Sequence, residues 1–375
     1  MNSESLNIHR VDIHLMNMKL VRPFVTSFGT TIDRLFLLVE VIDENGISGW
    51  GESVAMEEPW YNEETVRGNL MILKDFLIPE LWRQPLDHPR ELVERFEPIR
   101  RNMMAKSSLE GAVWDLYAKK QGLSLSKALG GDFDRIEVGV SIGIQPSREA
   151  LLDLIDERMD EGYKRIKIKI KPGKDLDLLE AVRHKYPDVP LMADANSAYS
   201  LDDIEHLKAM DQFDLMMIEQ PLEHDDIIDH ATLQKQLTTP ICLDESIHTL
   251  ADARKALDLG SCGIINIKVG RVGGLSHAKM LHDYCLERQV PLWCGGMLES
   301  GVGRAHNIAI ASLKGFSLPG DTAGSNNYWV EDIIEPEVIV KNGYVAVPKE
   351  AGLGFKISRE KLEKYRITQE IIRKG

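Results

Sequence analysis

Five charged residues recur at one spacing in the second half of this 375-residue chain. Lys169, Asp194, Glu219, Asp244 and Lys268 stand 25, 25, 25 and 24 residues apart, each at or near the end of a short apolar run. The apolar runs are 138–142, 165–170, 191–195, 215–219, 241–244, 264–269, 292–295 and, more weakly, 316–319. Amphipathic stretches such as 148–161, 201–210, 251–259 and 275–288 lie between them. Strand and helix patterns alternating with a period near 25 mean parallel βαβ units. Eight strands are what a closed barrel needs, with a doubly wound open sheet as the alternative. Gly270-Arg271-Val272-Gly273-Gly274 lacks the G-x-G-x-x-G spacing, which gives dinucleotide binding little support.

Strands of a parallel barrel are covered on both faces, so charges on them need a reason. Equal spacing sets all five side chains around the C-terminal mouth of one barrel, where such folds build active sites. Asp194, Glu219 and Asp244 offer three hard oxygen ligands with no histidine or cysteine in phase. That set suits Mg²⁺, or Mn²⁺, and leaves positions for water and a substrate carboxylate; zinc would want nitrogen or sulfur. Without a cation the three carboxylates repel and at least one pKa rises. Asn196 shares the parity of Asp194 and Glu245 follows Asp244, so both fit groups that orient ligands or lysines, or plain loop hydrogen bonding.

In Arg165-Ile166-Lys167-Ile168-Lys169-Ile170-Lys171, period 2 turns the isoleucines to the helices and Lys167, Lys169 and Lys171 to the barrel axis. Neighbouring ammonium groups and a divalent cation depress a lysine pKa toward a usable base. Lys268 stands across the mouth from Lys169. Removing a proton α to a carboxylate needs this arrangement, because charge builds on the carboxylate oxygens of an enediolate. Nucleophilic catalysis is poorly supported: there is no G-x-S-x-G, and no cysteine has a histidine partner.

The first 130 residues read differently. Alternation at 11–15 marks a strand, and 34–41 and 47–50 flank the Asp43-Glu44-Asn45-Gly46 hairpin signal. Helical patterns follow at 63–77, 89–97 and 103–121. Two loops, 23–29 and 56–61, carry the apolar side chains Phe24, Phe28, Met56 and Tyr61. A single core stops growing near 250–300 residues, so two units are expected. These are 1–130, α+β and completed by about 325–375, and a barrel over 131–324. The formal charge of −14, from 45 basic and 59 acidic residues, has the wrong sign for tracking nucleic acid. No apolar run is long enough for a membrane span. No export signal is visible at the start, and Cys242, Cys262, Cys285 and Cys294 form no C-x-x-C pair, so reduced thiols in the cytoplasm are expected.

With its Lys-x-Lys strand, three in-phase carboxylates and opposing Lys268, the chain resembles the enolase superfamily, in particular its muconate lactonizing enzyme-like group. The resemblance spans nearly the whole chain. More narrowly, Ala193-Asp194-Ala195-Asn196, Ile218-Glu219-Gln220-Pro221, Leu243-Asp244-Glu245-Ser246, Asn266-Ile267-Lys268 and Cys294-Gly295-Gly296-Met297 resemble the o-succinylbenzoate synthase/N-succinylamino acid racemase family. The Cys-Gly-Gly-Met stretch is the most specific of these. The resemblance implies an α/β fold: a modified TIM barrel, (β/α)7β-like, under an N-terminal α+β capping domain. The loops of that domain would close over the mouth, making Phe24, Phe28, Met56 and Tyr61 pocket residues. Ser141 and Met297 would be pocket walls, and Gly295 and Gly296 would let substrate approach the backbone.

In that family Lys169 would take the α-proton and Lys268 would support the enediolate, with Lys167 beside them. The outcome would be dehydration in menaquinone synthesis or racemisation of N-succinylamino acids on the same residues. The expected partners are a small carboxylate substrate and other copies of the chain, with no organic cofactor, nucleic acid or membrane. A mandelate racemase-like site needs a histidine on the seventh strand, which here reads Trp293-Cys294-Gly295-Gly296. A dipeptide epimerase would carry Asp-x-Asp where this chain has Asp321-Thr322-Ala323.

Overall fold

The computed structural model describes residues 5–27, 29–173 and 175–375. Phe28, expected in the pocket, lies outside the described residues.

Ile8–Val25 and Thr30–Asp43 form a long antiparallel hairpin, extended by Ser48–Ser53. Asp43 Oδ1 accepts from the amides of Asn45 (3.0 Å) and Ile47 (2.9 Å), and Gly46 takes the positive φ the turn requires. The segment read as a loop at 23–29 begins as strand, which runs to Val25: Phe24 pairs with Thr31 and Val25 with Thr30 after a register shift beyond Lys19. Such a shift interrupts the period-2 alternation by which a strand is read from sequence. Arg366–Arg373, at the far end of the chain, pairs antiparallel with Ile8–Val25 and becomes the outer strand of this sheet. One face of the sheet packs on the helix Met103–Lys120. Gly49 and Gly51 permit this, since a Cβ at either would strike the helix backbone at Ala112 or Ser108.

The second sheet has seven parallel strands in sequential order: Val140–Ile142, Ile166–Lys169, Leu191–Asp194, Ile218–Glu219, Ile241–Leu243, Ile264–Ile267 and Leu292–Cys294. The eighth position is a segment with isolated parallel bridges, Phe316 to Leu292 and Gly320 to Val138. The amide of Asp321 donates to Cys294 O (2.8 Å) and that of Gly139 to Gly320 O (2.7 Å), so both edges of the sheet are tied to it. Ile166, Ile168 and Ile170 join the apolar layer under the helices, while Met192, Met217, Cys242, Ile264 and Trp293 plug the barrel axis. Lys171, in phase with Lys167 and Lys169, lies past the strand end and is exposed. All four cysteines are free and buried. Among the described residues no helix is long and apolar enough to cross a membrane.

Buried carboxylates join the sheet-and-helix unit to the barrel. Glu110 accepts the amides of Leu275 and Ser276, both at 2.8 Å, at the start of the helix Leu275–Glu287. Glu52 accepts those of Ser300 (3.0 Å) and Gly303 (2.9 Å) at the helix Gly301–Ala311. First-turn amides have no partner within their own helix, and an acid there satisfies them and complements the helix dipole.

Candidate active site

Strand register explains how the polar residues meet. Lys169 pairs with Asp194 and Asp194 with Glu219, so these three stand level on adjacent strands. Glu219 pairs with Cys242, which places Asp244 two residues higher on the next strand with the same inward parity. Cys242 in turn pairs with Ile264, so Lys268 lies higher again on the sixth strand. The charges therefore climb the mouth as the strands tilt.

Apart from Lys169, which keeps slight exposure, these groups are buried. Lys167 Nζ lies 3.2 Å from Asp194 Oδ2, 3.0 Å from Glu219 Oε2 and 2.7 Å from Asp321 Oδ2. Lys169 Nζ donates to Asp194 Oδ2 (2.6 Å) and Asn196 Oδ1 (2.7 Å), and Asn196 Nδ2 donates to Glu245 Oε1 (2.9 Å). Lys268 Nζ is 2.7 Å from Asp244 Oδ2, and the Tyr61 hydroxyl is 3.2 Å from it. Asn266 Nδ2 donates to Glu219 Oε1 at 2.8 Å. Arg271 pairs with Asp244 and donates to the carbonyls of Ile247 (2.8 Å) and Asn266 (2.6 Å).

The two lysines of the second strand diverge electrostatically. Burial outweighs the pull of Asp194 on Lys169, and the Lys167 ammonium adds to it, so the Lys169 pKa falls. Burial also opposes the charge of Lys167, but Asp321, Glu219 and Asp194 more than offset it and hold the pKa high. The sequence expectation of mutual depression thus holds for Lys169 and not for Lys167, because Asp321 was not seen to face it. Lys268 is likewise held charged, against its burial, by Tyr61, Glu245, Glu219 and Asp194. Burial and then Asp194 raise Glu219; burial raises Glu245.

Asp194, Glu219 and Asp244 fit a divalent cation on an observation of their own. Glu245 Oε2 is buried without a hydrogen-bond partner, and the Asp244 oxygens are met by the Lys268 and Arg271 cations, so the hard anionic oxygens here already call for positive charge, which a divalent cation supplies. The three carboxylates do not form a tight cluster here, since lysines and Arg271 lie against them. Among the described residues, the tight acid–imidazole clusters are Asp12–His14–Glu40 and Glu223–His224–Asp225.

Phe24, Met56, Tyr61, Ser141, Gly296 and Met297 line a cavity above Lys167, Lys169 and Lys268. Met56, Tyr61 and Met297 pack together, and Phe24 meets Tyr328 edge-on with ring centroids 6.4 Å apart. Gly295 does not line the cavity: it is buried, and a Cβ there would run into the Asn266 side chain. Its lack of a side chain makes room for Asn266. Residues not singled out as site residues from the sequence also enter: Arg165 and Asp321, which pair with each other, then Arg271, Leu298 and Tyr328. Arg165 had a visible signal, because it precedes the alternating lysines in phase.

Residues 10–130 match the family described as Mandelate racemase / muconate lactonizing enzyme, N-terminal domain, and residues 150–361 match Enolase C-terminal domain-like. The chain is 61% identical over 361 residues to an o-succinylbenzoate synthase of Geobacillus kaustophilus, covering 96% of each chain. It is 44% identical over 364 residues to an N-succinylamino acid racemase of Thermus thermophilus, covering 97% of this chain and 98% of the relative. A solved enolase superfamily structure from Listeria innocua superposes with a TM-score of 0.95 at 44% identity, covering 99% of this chain and 100% of that one.

Proposed function

The chain belongs to the mandelate racemase/muconate lactonizing enzyme group of the enolase superfamily, and from that premise we propose that it dehydrates 2-succinyl-6-hydroxy-2,4-cyclohexadiene-1-carboxylate to o-succinylbenzoate. One observation carries the reading: two buried lysines, Lys169 and Lys268, approach a set of three carboxylates from opposite sides beneath one cavity. The identity to o-succinylbenzoate synthases, 61% and 59% in two Geobacillus relatives, selects dehydration among the reactions this arrangement can run.

Superfamily members depend on a metal ion, and Asp194, Glu219 and Asp244 are the residues that would hold Mg²⁺ or Mn²⁺ here. Such an ion, when bound, supplies positive charge opposite carboxylate oxygens on which negative charge accumulates. Lys169 takes the α-proton: the C–H bond breaks, its electron pair passes into the enediolate, and the proton rests on Lys169 Nζ. Its lowered pKa suits it to that exchange. Lys268, held charged, presents its ammonium to the enediolate. The β C–O bond then breaks, and Lys169 returns its proton to the departing hydroxyl, which leaves as water. Lys167 is bound by three carboxylates and holds them in place without exchanging protons. Asn196 and Glu245 orient Lys169 through their shared hydrogen bond.

Racemisation of N-succinylamino acids is the second reading, favoured by the Thermus relative and by the second lysine, which can return the α-proton from the other face. In either reading the enzyme works on a small carboxylate in the cytoplasm as a homo-oligomer, without an organic cofactor. Comparing kcat/KM for the cyclohexadiene and for a panel of N-succinylamino acids decides between them. A preference of several orders of magnitude for the amino acids would reverse the assignment.

A further inference from the structure

The cap sheet carries a second group of metal-ligating side chains, remote from the barrel mouth in the strand register. Asp12 and Glu40 are directly opposed on the first two strands, and His14 follows Asp12 by two residues on the same face. Their ligand atoms all lie within 4.8 Å of one another. The three residues are 2%, 3% and 1% exposed in the order Asp12, Glu40, His14.

The imidazole is the telling group. Neither nitrogen of His14 makes a hydrogen bond, although the ring is fully enclosed and stacked on Trp50 at 5.6 Å. Buried polar atoms are nearly always paired, so an imidazole left without a hydrogen-bond partner asks for a ligand. His14 Nε2 stands 3.7 Å from Glu40 Oε2, too far for a hydrogen bond. Two ligands on one tetrahedral ion sit roughly 3.3 Å apart when each bond is about 2.0–2.1 Å. The observed separation needs only a small adjustment to reach that.

We propose that Asp12, His14 and Glu40 form a second divalent-metal site, of the zinc class, independent of the carboxylates at the barrel mouth. One imidazole nitrogen and two carboxylate oxygens, with water in the fourth position, are a zinc-type donor set; the nitrogen disfavours Mg²⁺ and Ca²⁺. The groups now neutralising the acids can withdraw without backbone movement. Arg359 pairs with Glu40 at 2.7 Å yet its side chain is 62% exposed, and Arg10 pairs with Asp12 at 3.0 Å with 33% exposure. Gln369 Nε2, on the returning C-terminal strand, donates to Asp12 Oδ2 at 3.1 Å and can keep that carboxylate oriented. Arg359 and Trp50 line a cavity of about 1500 Å³ beside the cluster, which gives an ion a way in from solvent.

The experiment is equilibrium dialysis of the full chain against micromolar Zn²⁺ with millimolar Mg²⁺ present throughout, read as zinc per chain. Co²⁺ absorption reports coordination in parallel. One zinc per chain is expected. His14→Phe, which keeps the ring on Trp50, should weaken binding roughly 100-fold or more, and Glu40→Gln similarly. Asp244→Asn at the mouth and His224→Ala at the exposed Glu223–His224–Asp225 cluster should bind as the wild type does. Circular dichroism checks that each variant folds. Should His14→Phe not fold, the imidazole nitrogen shifts of His14 on adding Zn²⁺ to the wild type decide the matter. The proposal is overturned by no zinc retained in the presence of Mg²⁺, by zinc lost in Asp244→Asn or His224→Ala but not in His14→Phe, or by unmoved His14 shifts.

Discussion

Lys167 Nζ lies 2.7 Å from Asp321 Oδ2, so an ion pair ties the second barrel strand to the segment that closes the barrel. Asp321 also pairs with Arg165, and together the two cations hold its carboxyl, despite burial, down at about 2. Asp321→Ala would leave Arg165 buried and unpaired and cost about 3–5 kcal/mol of stability. Urea unfolding measures this. A loss below about 1 kcal/mol would mean the pair does not fasten the seam.

The oxygen ligands give the metal prediction. EDTA should abolish activity, and Mg²⁺ or Mn²⁺ should restore it. Asp194→Asn, Glu219→Gln and Asp244→Asn should each lower kcat by orders of magnitude while the chain still folds. Full turnover in rigorously metal-free protein would falsify the assignment.

Lys169 and Lys268 separate one-base from two-base chemistry. Lys169→Ala should abolish dehydration, because the other lysine on its strand is committed to three carboxylates. Lys268→Arg keeps the charge but cannot carry the proton, since a guanidinium stays protonated. It should retain more dehydration than racemisation and exchange the α-proton of one N-succinylamino acid enantiomer in D₂O. Equal exchange of both enantiomers would remove Lys268 as a base.

Tyr61 and Phe24 cover the cavity. Phe24→Ala and Tyr61→Ala should raise KM and leave metal affinity and fold intact. For Tyr61→Phe, which keeps the ring over Lys268 and removes the hydroxyl, the change should fall mainly on kcat. Unchanged KM in both alanine variants would make these side chains packing elements only.

Glu52 sets a pH dependence. Burial, with Glu299 adding to it, pushes its carboxyl up to about 7. The unfolded chain ionises this group near pH 4.3, so the folded state holds the extra proton between there and about pH 7. Stability from this group therefore falls as pH rises through that window and then levels off. Glu52→Gln should gain on the wild type by about 1 kcal/mol per pH unit across it. Urea unfolding at successive pH values tests this, and parallel pH profiles would refute it.

The parts of the site that were legible in the sequence are those set by the repeat. One βα unit separates Lys169, Asp194 and Glu219, and one unit is also the step between adjacent strands, so linear spacing became lateral position. Asp321 was harder to place because its segment makes isolated bridges only, and a strand that short leaves no period to read. Arg271 follows the sixth strand in a turn, where parity says nothing about direction. A glycine beside a substrate and a glycine beside an asparagine look alike in sequence, so the packing of Gly295 against Asn266 could not be read there. The Asp12–His14–Glu40 cluster depends on pairing between strands nearly thirty residues apart, and period 2 along either strand alone does not show it.

The carboxylates that Glu52 and Glu110 direct at barrel helices have a consequence for recombination. A chimera that set this barrel under a different cap would bring new mouth loops but strand the amides of Leu275, Ser276, Ser300 and Gly303 in a dry interface. Exchanging substrate preference by swapping whole caps therefore requires transplanting both acids along with the loops. Loop grafts that leave the third strand and the long helix untouched are the variation this architecture tolerates.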